Sequence, residues 1–324
     1  MPRIRSILFP IVYAQKKCPS CSSFQIKKYG HQSGRQKFRC VSCGRQFVRR
    51  YKKNERWVKR AYDDYTKHRQ TYNDLQRNYG KDPKTLRKYF DAHAAATGEI
   101  IAEKTPINLL MDATFFSRTN GLLVCRANSR NLYWKEITSE KVEYYVACLD
   151  ALEAVGFSFR SFIIDGRKGV RDMLWQRYPH VPIQLCQFHQ LQTITQKLTK
   201  RPKLPASKEL RSIALTLTRT TREEFTVALN QWHERWGAFL KERTESVERK
   251  RRWRYTHEKL RSAYFSLHRN LPWLFTYQDF PELNMPNTTN SCDGSFTHWK
   301  NKVKLHRGIK KSRKKKMIDY LLEK

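Results

Sequence analysis

Acidic residues are scarce in this chain. Only 29 Asp and Glu stand against 65 Lys and Arg in 324 residues, giving a net charge of +36. That excess is too large to be a solubility device alone. It fits a polyanionic partner held by many phosphate contacts, most simply nucleic acid. Long apolar runs are also missing, so the sequence offers no bilayer-spanning segment. An anionic membrane surface would be the alternative partner, but no basic amphipathic helix is free of core duties, and no membrane association is expected. The third absence is a disulfide framework. The eight cysteines fall as two close pairs and four scattered singles, a usage that suits a reducing compartment.

Arg3 and Arg5 precede Ile7-Leu-Phe-Pro-Ile-Val-Tyr-Ala14, which resembles a signal peptide superficially. The apolar part is short and broken by Pro10, so the segment reads as a strand or arm leading into the first cysteine pair. A cytoplasmic protein is expected. Apolar residues make up 39% of the chain, enough for a core, and the length allows two or more domains.

Cys18-Pro-Ser-Cys21 and Cys40-Val-Ser-Cys43 repeat one motif across a spacer of zinc-ribbon length. Two thiolates on each tight knuckle close a tetrahedral site, and one structural Zn2+ can fold a segment with little core of its own. Between the knuckles lie Lys27, Lys28, His31, Arg35, Lys37 and Arg39, with Tyr29 and Phe38. These could touch DNA or form a solvated face. Residues 1–50 are therefore assigned to a zinc ribbon.

Residues 53–96 read as helical, within an expected helix-turn-helix domain of residues 51–100. Tyr72, Leu75 and Tyr79 recur at helical spacing, and Gly80 can end that helix. Asp82-Pro83 starts the next, with Asp as N-cap and Pro in the first turn. A helix, a short turn and a basic helix make the helix-turn-helix pattern. The second helix would read DNA through Lys84, Thr85, Arg87 and Lys88.

Residues 101–200 change character. Strand-like runs at Asn108–Phe116, Gly121–Arg126 and Leu132–Thr138 precede a helix at Lys141–Val155, a strand from Phe159, a helix at Val170–Tyr178 and a strand at Val181–Cys186. This order predicts an α/β fold with a mixed sheet and flanking helices. Asp112 and Asp165 are expected at the ends of core strands. Residues 201–285 read as an all-helical insertion, its Trp232, Trp236, Trp253 and Trp273 more suited to a core than to stacking on bases. Residues 286–324 give a helix through Phe296, Trp299 and Val303, a basic run, and a short helix at Lys314–Leu322.

A charge inside an apolar strand must be paired, protonated or bound to a metal. Asp112 alone could simply open a turn, but Asp165 and Asp293 offer it partners. Such acids can hold two divalent ions about 4 Å apart for in-line displacement at phosphorus, and hard cations prefer oxygen ligands. Asp293 has a competing reading, since Asn290-x-x-Asp293 also forms a capping arrangement. Glu282, Glu223 and Glu224 are the reserve candidates for a third acid. Arg167, Lys168 and His298 are candidates for phosphate contact.

Met111-Asp112-Ala-Thr114, Ile164-Asp165-Gly166, Cys186-Gln-Phe-His189 and Thr288-Thr289-Asn290-Ser-Cys-Asp293 occur in that order. The set resembles the DDE/D transposases with a ribonuclease-H-like core. It is most similar to the Mutator-like and insertion-sequence-256 group, in a variant with an N-terminal zinc-binding domain. The resemblance implies a ribonuclease-H-like sheet and a catalytic triad of Asp112, Asp165 and Asp293 holding two Mg2+ or Mn2+ ions. It also implies supporting roles for Cys186, His189 and Asn290, and a homo-oligomer on double-stranded DNA, both terminal inverted repeats and target. The third position in that group is usually Glu, and Asp293 is one methylene shorter. The alternatives are a non-enzymatic DNA-binding regulator, an inactive domesticated transposase, or a nuclease without strand transfer.

Overall fold

A computed structural model describes residues 17–48, 56–93, 105–245, 253–306 and 308–322. The strand or arm expected at Ile7–Ala14 lies outside them. The chain divides after Ala61 into two compact units.

The first unit holds a three-stranded antiparallel sheet: β1 (Ile26–Gln32), β2 (Arg35–Cys40) and β3 (Gln46–Val48), in that spatial order. Ser33 and Gly34 link β1 to β2 with φ of 50° and 71°, the left-handed pair that a two-residue hairpin demands. Of the described side chains in these strands, only Phe38 and Cys40 are buried. The sheet therefore has little apolar core to hold it. Helix α1 (Arg56–Thr66) crosses the division between units.

In the second unit, α2 (Tyr72–Tyr79) and α3 (Pro83–Ala92) form a helix pair with well-marked ends. Thr71 and Asp74 make a reciprocal capping box, and Gly80 ends α2 at φ 61°. Asp82 caps α3 by accepting from the backbone N–H groups of Lys84 and Thr85, with Pro83 at the first turn. Leu75, Leu86 and Phe90 are buried, and the Phe90 ring lies 5.1 Å from that of Tyr62. The pair was expected within a separate 51–100 domain, but it belongs to the larger unit. The reason is a long-range contact with α12 (Lys311–Leu322). There the Tyr320 ring stands 4.9 Å from Tyr62, and Arg313 makes two bonds of 2.6 Å to Asp91.

The main sheet comprises β4 (Ile107–Ser117), β5 (Asn120–Ala127), β6 (Arg130–Ile137), β7 (Phe159–Ile164) and β8 (Ile183–Leu185), ordered β6-β5-β4-β7-β8. The first three pair antiparallel as successive hairpins, while β7 and β8 run parallel to β4. Helices α4 (Val142–Ala154) and α5 (Lys168–Arg177) make the crossovers. Alternation along β4 sends Ile107, Leu109 and Met111 into the main core with Leu123, Phe162 and Ile164. Leu110, Asp112 and Thr114 point the other way, and α11 (Asn290–Leu305) packs against this strand.

Asp112 is not at the end of its strand, as the sequence suggested. It sits mid-strand opposite Val124, because β5 extends the antiparallel pairing to Ser117. It does lie just past the parallel pairing with β7, which stops at Leu110–Ile163.

The segment between the sheet and α11 contains α6 (Gln187–Leu198), α7 (Pro205–Leu215), α8 (Arg222–Trp236), α9 (Glu258–Leu274) and the short α10 (Thr276–Asp279). It is not all-helical. An antiparallel hairpin of β9 (Arg243–Glu245) and β10 (Trp253–Tyr255) precedes α9. These three-residue strands are largely exposed and too short to show a period in the sequence. Trp232 is buried and donates to Ala206 O, Trp236 donates to Glu209, and Trp273 packs edge-on against Trp175. Trp253, on the hairpin, is half exposed.

Candidate active site and cysteine cluster

Each cysteine knuckle folds back on its own backbone. Ser22 N–H donates to Cys18 O, Gly44 N–H donates to Cys40 O, and both donors adopt positive φ. The turns gather Cys18, Cys21, Cys40 and Cys43 so that all four sulfurs lie within 4.8 Å of one another. Cys18 and Cys43 are 3.5 Å apart, Cys21 and Cys40 3.6 Å. A tetrahedron of 2.3 Å zinc–sulfur bonds has edges of about 3.8 Å, and a disulfide would need about 2.05 Å. The cluster can therefore bind zinc. A backbone N–H from Cys43 is the main cause drawing the Cys40 thiol down to about 6, which favours the thiolate that a metal takes.

The second site forms where β4, the start of α6 and the start of α11 meet. One carboxylate oxygen each from Asp112 and Asp293 and a ring nitrogen of His189 lie within 4.8 Å of one another. Asp112 is 4% exposed. Its Oδ1 accepts from Ala113 N–H at 2.8 Å, while its buried Oδ2 has no hydrogen-bond partner. Burial, followed by the negative charges of Asp293 and Asp165, pushes its carboxyl up to about 7, against the opposing pull of His189. Asp293 is also raised, chiefly by burial. His189 stands 3.9 Å from Asp293. Cys186 beside it, then Asp112 and Asp293, lift its pKa to about 9 despite the cost of burial.

Of the three acids expected together, Asp165 is the one outside this closest group. It follows β7 directly, two residues past Ile163, just as Asp112 lies two residues past Leu110 in the paired strand. Its Oδ1 accepts from Arg167 N–H at 3.0 Å, and its Oδ2 lies 3.7 Å from Arg167 Nε. Arg167 also pairs with Glu140, so this expected phosphate ligand is already held by two acids. Glu140 was not foreseen. It accepts from Tyr145 at 2.7 Å, and burial is the main cause raising its pKa. It precedes α4 with no motif to mark it.

Thr289, rather than Asn290, ties the parts together. Asn290 is exposed in the first turn of α11, and Thr289 occupies the N-cap without capping. The capping arrangement foreseen for Asn290 and Asp293 is therefore not formed. Instead Thr289 Oγ1 lies 3.3 Å from Cys186 Sγ, 3.4 Å from His189 Nδ1 and 3.5 Å from Asp293 Oδ2. Its backbone N–H also donates to Cys186 Sγ at 3.2 Å. Within Thr288-Thr289-Asn290 it is Thr289 whose hydroxyl faces the cluster. Among the reserve acids, Glu224 belongs to a capping box with Thr221, and Glu282 is exposed on a short 3-10 turn.

On α3, Lys84, Arg87 and Lys88 are exposed and share a face, while Thr85 is half-buried. Arg87 lies over the Tyr72 ring at 4.9 Å. Farther along the chain, Lys197, Arg201, Lys203, Arg254 and Lys259 line an open cleft of about 550 Å³. No family model and no curated protein matches this chain.

Proposed function

We propose that this protein is a DNA transposase of the DDE/D type, cutting and rejoining phosphodiester bonds at the Asp112 site. The observation that carries the reading is the convergence of Asp112, His189 and Asp293 around a buried, unpartnered carboxylate oxygen. A carboxylate lodged where it costs stability, with a second acid beside it, is the signature of a functional group. The strand order supports the reading, since three antiparallel strands followed by two parallel ones is the arrangement expected of a ribonuclease-H-like core. The charge of +36 suits a DNA substrate, and the exposed cations of α3 suit the groove-reading role in terminal repeats.

The donor set fits a divalent cation. Asp112 and Asp293 would hold it, with Asp165 completing the acid set from the neighbouring strand. Mg2+ or Mn2+ bound there would supply Lewis-acid activation of an attacking oxygen and charge neutralisation at phosphorus. The remaining chemistry falls to the chain itself. Asp112 Oδ2 has no competing hydrogen bond to surrender. Thr289 holds His189 and Asp293 in mutual register. Protonated His189 balances the charge of the two acids. Arg167 and Glu140 brace Asp165.

The test is a cleavage and strand-transfer assay on terminal-repeat DNA with Mg2+ or Mn2+. Asp112→Asn and Asp293→Asn should each lower the rate at least about 100-fold, the scale of losing one group that stabilises transition-state charge. Full activity in either variant overturns the mechanism. DNA binding with no cleavage by the unaltered protein, whichever ion is supplied, would favour a DNA-binding regulator.

A further inference from the structure

The basic cleft of the helical segment takes no part in the acidic site. One of its walls is the connection from α6 to α7, and the other is the turn from β10 into α9. The walls are tied together, since Lys197 of α6 donates to Ser262 of α9 at 2.5 Å and Gln190 donates to Ser266 at 3.2 Å. A volume of about 550 Å³ falls in the range of clefts that take whole ligands rather than single ions. Arg201 and Lys203 on one wall and Arg254 and Lys259 on the other are exposed, and none of the four pairs with a carboxylate of the described residues. Glu258 is the one acid in the lining.

Ser207 is an independent sign of a ligand. It is 6% exposed and lines the cleft. Its hydroxyl bonds to no described residue, and its oxygen is not sealed from solvent. A polar group set this deep is ordinarily satisfied. Ser207 lies in the first turn of α7, and the first turn of α9 lines the opposite wall. Neither helix start has a side-chain cap, so the positive ends of two helix dipoles add to the cations. Arg243 and Arg261 lie over the Tyr255 ring at 5.4 and 4.1 Å. A hydrogen bond from Arg243, then the charges of Arg261 and Arg243, lower the proton affinity of the Tyr255 hydroxyl, as a positive local potential requires. Thr199 lines the cleft at φ 68° and ψ 170°, a conformation nearly confined to glycine. Strain of that kind gathers at ligand clamps.

We propose that this cleft binds the sugar-phosphate backbone of a DNA strand. Arg201, Lys203, Arg254 and Lys259 meet its phosphate oxygens from two sides, and Ser207 donates its hydroxyl hydrogen. The choice of DNA as the source of the phosphates rests on the transposase reading. The helical segment is then a second holding point for the substrate, apart from the α2–α3 helix pair.

The test uses the full-length, zinc-loaded chain and a labelled DNA duplex, with affinity read by fluorescence anisotropy across a salt series and no added divalent ion. Lys203→Gln and Lys259→Gln, one on each wall, should each weaken binding several-fold at low salt. Each should also make the slope of log affinity against log salt shallower by about 0.9, the value of one phosphate contact. Lys203→Arg should keep the slope. Ser207→Ala should weaken binding roughly three-fold with the slope unchanged, because the lost hydrogen bond is neutral. Lys208→Gln is the control, an exposed cation on α7 that does not line the cleft, and it should leave the slope as it was. The three lysines are exposed, so their variants should melt with the unaltered protein. Unchanged affinity and slope in both Lys203→Gln and Lys259→Gln overturn the proposal. So does an equal loss of slope in Lys208→Gln, which would mean a diffuse field and no site. Calorimetric binding of inorganic phosphate that Lys203→Gln abolishes, with the duplex slope unchanged, overturns the DNA assignment in favour of a free anion. None of these readouts needs cleavage, so an inactive acidic site would leave the result readable.

Discussion

The four thiols of the ribbon come from two stretches of four residues, and each stretch shapes its own knuckle through one tight turn. The acidic site draws Asp112 from a central strand, His189 from the start of a helix after the sheet, and Asp293 from a helix beyond the whole helical segment. The first arrangement is local and has almost no apolar core around it. The second is non-local and is held by the core of the larger unit. A metal at the ribbon would thus create a fold, whereas a metal at the acids would enter a fold that already exists and bears the cost of the buried Asp112 carboxylate. The ligands differ in kind as well: soft thiolates in one, hard carboxylates with one imidazole in the other.

The sharpest way to break this comparison is to remove the metal. Chelation, or Cys40→Ser, should unfold residues 17–48, because structural zinc contributes on the order of 10 kcal/mol to such segments. Circular dichroism and proteolysis should show the larger unit intact. A ribbon spectrum unchanged after zinc removal would mean that the fold does not depend on the metal.

Asp112→Asn should act in the opposite sense. The rise of the Asp112 carboxyl from 3.8 to about 7 corresponds to about 4 kcal/mol of instability once the group is ionised. With divalent ions withheld, the variant should therefore melt higher than the unaltered protein above pH 7. The unfolded chain loses this proton near pH 4 and the folded chain near pH 7, so stability should fall as pH rises between them. His189, raised to about 9, adds stability below its unfolded value near 6.5 that is lost as pH climbs towards 9. Thermal melts across pH 4 to 9 would test both, and Asp112→Asn should flatten the lower half of the profile. A variant that melts lower throughout would show that Asp112 is structural.

Smaller effects separate Thr289 from its neighbour. Thr289→Val removes the hydroxyl facing Cys186, His189 and Asp293 and should slow cleavage about ten-fold, roughly the value of one hydrogen bond. Asn290→Ala, at an exposed position, should change the rate less than two-fold. The reverse ranking would restore the role that the motif suggested for Asn290.

Legibility in the sequence divides along the same line. Cys18, Cys21, Cys40 and Cys43 were legible because spacing alone dictates their geometry. Asp82 and Gly80 were legible for the same reason, since caps are short-range. The apolar runs of β4 and β7 marked both strands and their acids. The pairing of His189 with Asp112 was not, because proximity between segments so far apart depends on how α6 leaves β8 and how α11 returns to β4. Glu140 escaped because nothing local distinguishes it from a solvent-facing acid before a helix. Thr289 escaped because a hydroxyl at a helix start ordinarily caps that helix, and this one turns to the site instead.

The contact between α12 and the helix pair has a consequence for synthesis. Tyr62, Tyr65 and Phe90 leave the ribosome long before Tyr320 and Arg313, which cover them. His306, whose Nε2 lies 2.9 Å from Tyr65 O, arrives almost as late. Contacts between segments this distant form slowly. The pair α2–α3 must therefore wait, incompletely packed, until the sheet, the helical segment and α11 have all been made. A product cut short before α12 would lack the lid on this cluster, exposing aromatic surface to degradation. The helices that we assign to DNA would then reach their final packing only in molecules that also carry the acidic site.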